Sequence, residues 1–241
     1  MREETAKKIL DKVRGDYDAI AADFSATRNR PWPEMDRFKE FIKTGDRVLD
    51  IGCGNGRAYQ LFTGLAIEYE GLDVSEKLLD LARATVRDML ANFRVGTMLA
   101  LPYDSGEFDA ALAVAVLHHV PSARYRLQAL REAGRVLKPG GWLLMVNWNL
   151  WKPRYFRDLS RAMFKKLVGA SDLDFRDVLI PWNGGSSSVQ RYCRAFTGRE
   201  LRGLCRQAGL EVVEQYYTSK GKSAGWWQGG ENILTICRKK E

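Results

Sequence analysis

Two carboxylates and three alternating glycines are the residues in this chain best suited to chemistry. Asp50 stands two positions before Gly52-Cys53-Gly54-Asn55-Gly56, and Asp73 closes the next apolar run. Val48 to Ile51 reads as a buried strand that breaks into glycines before helical spacing resumes at Arg57. A strand, a tight turn and a helix start gather unpaired backbone amides, and glycines there permit positive φ and close approach of a ligand. The spacing is G-x-G-x-G, unlike the G-x-G-x-x-G that seats a pyrophosphate. Asp50 repels a phosphate and attracts a cation, while Asp73 is placed to accept both hydroxyls of a ribose. A bare turn is the alternative, and Asp73 favours the ligand site. Cys53 reads as a small side chain beneath the ligand rather than a nucleophile.

The run Asp50 to Gly56 with Asp73 resembles the class I S-adenosylmethionine-dependent methyltransferases. The resemblance implies an α/β, Rossmann-like fold: a seven-stranded, mostly parallel sheet with helices on both faces. It also implies that Asp50 lies near the sulfonium and amino-acid portion of S-adenosylmethionine, and that Asp73 holds the ribose. Many such enzymes end the third strand with an Asp for the adenine amine; here Thr97 stands in that place, before Leu101-Pro102. Thr97 oxygen and the Met98 amide are then the expected adenine contacts. Val74, Leu99 and Val114 complete the implied cofactor wall, and S-adenosylhomocysteine is the implied product.

The elements around this centre alternate. Phe108 to Val116 is apolar throughout, as a central parallel strand should be, and leads into Leu117-His118-His119-Val120-Pro121. These two histidines, the only ones in the chain, fall beyond a strand's carboxyl end, where open α/β sheets bind ligands. His118 is the one expected to face substrate; His119 serves equally well satisfying a buried backbone group. Ser75 reads as the cap of a helix through Leu90, Phe93 to Val95 as a short strand, and Arg124 to Leu137 as a charged helix. Leu137-Lys138-Pro139-Gly140-Gly141 then turns into a strand from Leu143 to Trp148, whose Asn147 and Trp148 emerge on the catalytic edge.

Before the core, residues 2 to 30 have helical spacing, divided at Gly15 and Asp16, and Pro33 to Thr44 reads as an amphipathic helix. Trp32 between two prolines marks an extended bend. Arg28, Arg30 and Trp32 either pack as a lid on the sheet edge or grip a carboxylate or phosphate. Behind the core, residues 149 to 196 form a basic insertion after the fifth strand. Its first part is a helix, Trp151 to Val168; its second runs from Asp177 through Trp182 and a Gly and Ser-rich turn to Arg191-Tyr192-Cys193-Arg194. Thr197 caps a helix from Gly198 to Gln207, and Leu210 to Thr218 and Asn232 to Arg238 are the last strands. Between them, Lys220, Lys222, Trp226 and Trp227 either touch RNA or plug a hairpin.

At 241 residues the chain suits one domain, divided as 1–44 (lid), 45–148 (cofactor core), 149–196 (insertion) and 197–241 (last helix and strands). No apolar run approaches the roughly 20 residues of a membrane span, and Met1-Arg2-Glu3-Glu4 is no signal peptide, so no membrane partner and a cytoplasmic location are expected. Four scattered cysteines form no C-x-x-C pair, which argues against a metal site or disulfide framework. The formal charge of +8 suits a polyanionic partner, and arginines beside Trp182 and Tyr192 suit unpaired nucleotides.

A second, narrower resemblance covers most of the chain. Tyr17-Asp18-x-Ile20-Ala21 with Thr27-Arg28 and Trp32-Pro33, Ala115 to His119, Asp177-Val178-x-x-Pro181-Trp182 and Arg191-Tyr192-x-x-x-Phe196 follow the order seen in tRNA wobble-uridine carboxymethyl methyltransferases. That family esterifies 5-carboxymethyluridine in the anticodon loop and often works with a small zinc-binding activator protein. The residues expected to be catalytic are Arg28, His118, Trp148, Arg191 and Tyr192, and those expected to contact RNA are Arg30, Trp32, Asp177, Pro181, Trp182 and Arg194. Cys193 and Arg194 depart from the family, which has an aromatic and a histidine there. A small-molecule methyltransferase and a non-catalytic RNA-binding module are the alternatives.

Overall fold

The computed structural model describes residues 1–184, 189–225 and 230–241; Trp226 and Trp227 lie outside the described residues. The chain opens with helices α1 (Glu3–Ala19) and α2 (Ala21–Thr27). It then alternates through β1 (Arg47–Ile51), β2 (Glu68–Asp73), α3 (Glu76–Thr85), β3 (Ala91–Val95), β4 (Phe108–Val114), α4 (Ala123–Val136) and β5 (Leu137–Trp148). Helix α5 (Pro153–Leu167) and the strands β6 (Asp177–Pro181) and β7 (Gln190–Arg194) follow, then α6 (Gly198–Gln207), β8 (Leu210–Ser219), β9 (Lys222–Ser223) and β10 (Asn232–Lys239).

Eight strands form one sheet in the order β3-β2-β1-β4-β5-β10-β8-β9. The first five are parallel, and β10 runs antiparallel between β5 and β8. The count exceeds the expected seven through the two-residue β9, which pairs with the end of β8. Strand order reverses at the β1–β4 boundary, so a crevice opens beyond the carboxyl ends of these two strands. One sheet face packs Leu49, Ile51, Ala111 and Met145 against α4 and α6; the other packs Val48, Leu112 and Val146 against Met35, Phe38 and Phe62. The insertion adds a third apolar cluster, in which Leu159 of α5 meets Val178 and Ile180 of β6 and Cys193 of β7.

Several boundaries differ from expectation, each for a local reason. Helix α1 runs through Gly15 and Asp16 and stops at Ile20. The Lys12–Asp16 ion pair spans that turn at 2.6 Å, and packing of Tyr17 on His119 outweighs the roughly 1 kcal/mol that glycine costs inside a helix. Helix α3 ends at Thr85 because Asp88 accepts the Leu90 amide and the Leu90 carbonyl accepts the Tyr69 amide, which starts β3 at Ala91. Residues 33–40 and 57–62 form 3-10 rather than α-helical turns. The second half of the insertion is an antiparallel pair that sets Ile180 opposite Arg191 and Leu179 opposite Tyr192.

Candidate functional site

The crevice holds a cavity of about 370 Å³, within the usual range for small-molecule sites. Its floor is the glycine turn. Gly52, Gly54 and Gly56 have φ of +71°, +57° and +75°, the left-handed region that other residues enter at a cost. A Cβ built on Gly52 would lie 2.3 Å from a Val116 methyl carbon. A Cβ on Gly56 would instead meet Ala82, Val86 and Phe93 at 3.2–3.3 Å, so this glycine serves packing of the turn against α3 and β3. At the end of β4, Ala115 takes φ +59° in the cavity wall, a strained conformation for a residue with a Cβ.

The carboxylates flank this turn. Asp50 is 2% exposed and accepts the Tyr69 hydroxyl at 2.5 Å. Burial pushes its pKa up to about 6, against the pull of the Tyr69 bond and with Asp73 adding to the rise. Asp73 accepts the amides of Gly54 at 2.8 Å and Ser75 at 2.9 Å, which fixes its orientation while spare lone pairs stay available. Cys53 lines the cavity with its thiol raised by burial, which is the state of an inert wall group. Val74, Thr97, Met98, Leu99 and Val114 line the same cavity, and Thr97 Oγ1 also accepts the Leu99 amide at 3.3 Å.

The amino-terminal segment closes over the top. Asn55 does not line the cavity; its amide donates to the Arg28 carbonyl at 3.0 Å and the Ser25 hydroxyl at 3.1 Å, tying lid to turn. Arg28 and Trp32 line the cavity, whereas Arg30 is exposed outside its wall. The Arg28 guanidinium sits 4.4 Å from the Trp182 ring centroid and 5.4 Å from that of Phe24. Arg191, only 7% exposed, sits 4.9 Å from both Trp148 and Trp182. Neither arginine has an ion pair among the described residues, and burial and the neighbouring Arg191 lower the Arg28 pKa.

Four expected contacts are corrected. Strand alternation sends Arg191 and Cys193 to one side of β7 and Tyr192 and Arg194 to the other. Tyr192 is fully buried and faces Asp177 and Arg126, while Arg194 binds Asp177 at 3.2 Å, Glu200 at 2.7 Å and the Phe175 carbonyl. Asp177, Tyr192 and Arg194 therefore anchor the β6–β7 pair to the core and do not reach the cavity. The cavity wall contains His119 rather than the expected His118. Pro181 is exposed at the end of β6 and Trp182 is 5% exposed, covered by Phe24.

The histidines are held neutral. His119 Nδ1 donates to the Tyr192 carbonyl at 2.6 Å, which assigns Nε2 as acceptor of the Tyr17 hydroxyl at 2.8 Å. Burial takes the His119 pKa down to about 4. His118 stacks on Trp148 with centroids 4.7 Å apart and lies beside the Asn147 amide; no ring nitrogen makes a well-formed hydrogen bond, and burial lowers its pKa well below normal. His118, His119 and Cys193 bring donor atoms within 4.8 Å, but both His119 nitrogens are engaged and burial pushes the Cys193 thiol up to about 12. Within that donor set the His119 nitrogens are committed to other bonds and the Cys193 thiol is held protonated.

Tyr17, Phe24, Arg57 and Tyr69 were not anticipated as site residues. Arg57 directly follows the third glycine, and Tyr69 shares the buried β2 face with Gly71 and Asp73; these placements are the signals that point to them.

Comparison with known proteins agrees with this geometry. A family profile described as a methyltransferase domain matches residues 49–145. A tRNA (carboxymethyluridine(34)-5-O)-methyltransferase of Schizosaccharomyces pombe is 30% identical, the match covering 88% of this chain and 92% of that protein. A Mus musculus protein of the same name is 35% identical over 71% of this chain, and the chain spans only 25% of its length. Among solved structures, the methyltransferase in a complex with the Haloferax volcanii Trm112 methyltransferase activator superposes with a TM-score of 0.66 at 21% identity, covering 95% of this chain and 98% of that one.

The cofactor of these enzymes, S-adenosylmethionine, fits the residues present. Asp50 supplies a carboxylate for a cation, Asp73 an acceptor pair for a ribose, and Gly52 a turn in the cavity wall where a Cβ would collide with Val116. With the match to the Schizosaccharomyces pombe protein spanning most of both chains and the methyltransferase-domain profile covering the cofactor core, the chain belongs to the tRNA (carboxymethyluridine(34)-5-O)-methyltransferase family of S-adenosylmethionine-dependent methyltransferases.

Proposed function

We propose that the chain esterifies the carboxylate of 5-carboxymethyluridine at the wobble position of a tRNA anticodon. One observation carries the reading: Arg28 and Arg191 bracket Trp182 beside the cavity with no acidic partner among the described residues. Two guanidinium groups without an acidic partner on an indole suit an anion joined to a flat base, since arginine grips a carboxylate and the ring accepts stacking.

The bound cofactor supplies an electrophilic methyl group on a sulfonium. Asp50 and Asp73 orient it in the glycine cradle, and Trp148, Phe24 and Trp182 exclude water from the approach. The acceptor carboxylate, with an ordinary pKa near 4, is ionised at neutral pH, so no residue has to remove a proton. Neutral His119 and His118 agree with that, because neither is poised to act as a base. Arg28 and Arg191 hold one carboxylate oxygen and leave the other free to attack.

The RNA beyond the wobble nucleoside meets α5. Arg157, Arg161 and Lys165 form an exposed row at i, i+4 spacing, next to a row containing exposed Phe156 and Phe164. A small zinc-binding activator is the proposed protein partner. The outer strand β3 has one neighbour, and exposed Met89, Leu90 and Val95 lie at its ends, which leaves an edge for strand addition. No helix among the described residues is long and apolar enough to cross a membrane, and the four cysteines are free and buried, which suits the cytoplasm. Methyl transfer from labelled cofactor to anticodon stem-loops, with and without the carboxymethyl group, tests the reading; label on the unmodified loop would contradict it.

A further inference from the structure

Two carboxylates have to be accommodated at this site, that of the acceptor and the α-carboxylate on the amino-acid portion of the cofactor. Arg14, Arg28 and Arg57 line the cavity, with Arg14 exposed on α1, and Arg191 stands beside it. Arg28 and Arg191 share Trp182, whereas Arg57 begins the segment that follows Gly56.

Arg57 is 9% exposed and forms part of the cavity wall with Asp50, Gly52 and Gly54. Its guanidinium carbon lies 4.8 Å from the Trp32 ring centroid, and no hydrogen bond or ion pair engages it among the described residues. Asp50 is close enough to be felt electrostatically, yet its carboxylate takes the Tyr69 hydroxyl. A guanidinium this buried normally has an anion for its donors, and a ring face offsets only part of its lost hydration. Burial, with Arg28 nearby, draws its pKa down to about 10, so it stays charged at neutral pH and is eased by an incoming anion.

We propose that Arg57 binds the α-carboxylate of the cofactor while Asp50 takes the ammonium group. The glycine cradle then reads the amino-acid end as a zwitterion, Trp32 keeps the guanidinium aimed into the cavity, and Arg28 and Arg191 remain free for the acceptor. A cofactor lacking the carboxylate is discriminated against at Arg57 alone.

Isothermal titration calorimetry with S-adenosylhomocysteine, its decarboxylated analogue and methylthioadenosine tests this without turnover. The wild type should prefer S-adenosylhomocysteine over the decarboxylated analogue by about 10- to 100-fold, the range for a charge-assisted hydrogen bond. Arg57→Met, which keeps a stem against Trp32, should abolish that preference and leave methylthioadenosine binding within about threefold. Arg57→Lys should keep part of the preference, and Arg28→Met all of it. The proposal is overturned if Arg57→Met keeps the wild-type preference, if it weakens all three ligands equally, or if Arg28→Met is the variant that loses it. Should Arg57→Met fail to fold, Arg57→Lys and the wild type still decide: a wild type without the preference, or an Arg57→Lys protein indistinguishable from it, overturns the assignment.

Discussion

Arg28 and Arg191 rest on the same indole, their guanidinium carbons 4.4 and 4.9 Å from the Trp182 centroid, though one comes from the lid and the other from the insertion. Like charges brought together without a carboxylate between them define where an anion is stabilised. Arg28→Ala or Arg191→Ala should each lower kcat/KM for a carboxymethyl stem-loop by about 100-fold, a typical loss for one charge-stabilising donor. Calorimetric affinity for S-adenosylhomocysteine should stay within about threefold. Equal losses in both measurements would make these arginines part of the cofactor lid.

Asp50 gives cofactor binding a pH dependence of known sign. Its pKa of about 6 is raised above the ordinary carboxylate value by burial, and a cation beside it favours the ionised form. Affinity for S-adenosylmethionine should therefore rise as pH increases through 6, with a proton released on binding below that point. In the free protein the sign is opposite: stability falls as pH rises from about 4 to 6, because the folded state holds this proton more tightly. Asp50→Asn should melt higher than wild type at pH 7.5 and lose the pH dependence of binding; unchanged dependence would place the titrating group elsewhere.

The histidines make a prediction about rate. With His119 at about 4, His118 lower than normal and an acceptor already ionised, single-turnover methylation should be flat between pH 6.5 and 8.5. A rise following an apparent pKa near 7 would reinstate a histidine base. Tyr17→Phe removes the donor to His119 Nε2 and should cost about 1 to 2 kcal/mol of stability in urea unfolding.

Arg194 tests the anchoring role of the inner β7 face. Arg194→Ala leaves Asp177 buried with one partner fewer and should destabilise the fold by about 2 to 4 kcal/mol. At a temperature where the variant is folded, its KM for the stem-loop should change much less than that of Arg191→Ala. A KM increase as large as that of Arg191→Ala, with unchanged stability, would return Arg194 to the RNA.

The α5 row should act through salt. Combined Arg157→Ala, Arg161→Ala and Lys165→Ala should weaken stem-loop binding and reduce the salt slope by about 2 to 3, one unit for each phosphate no longer neutralised. Binding of S-adenosylhomocysteine should not change. An unaltered salt slope would place the RNA on another face.

The cofactor half of the site was legible because its chemistry is local. Asp50, the alternating glycines and Asp73 sit at strand ends, where hydrophobic period and punctuation reveal the backbone, and Ser75 and Thr197 cap the helices they were expected to cap. The acceptor half was not, because it depends on which way neighbouring side chains turn. Arg191 and Tyr192 diverge only once residues 190–194 form a strand, and the 3-10 turn at 117–119 decides that His119, not His118, meets the cavity. Arg57 was hidden for another reason: a buried cation stands out only when the structure shows that no acid forms an ion pair with it.

The most direct measurement is the chemistry of the product. Stem-loops carrying 5-carboxymethyluridine, incubated with S-adenosylmethionine and digested to nucleosides, should show one added methyl group on the wobble nucleoside by mass spectrometry, reversed by mild alkali as an ester requires. A methyl group that survives alkali, or that appears on any other nucleoside, would contradict the assignment of the arginine pair to a carboxylate.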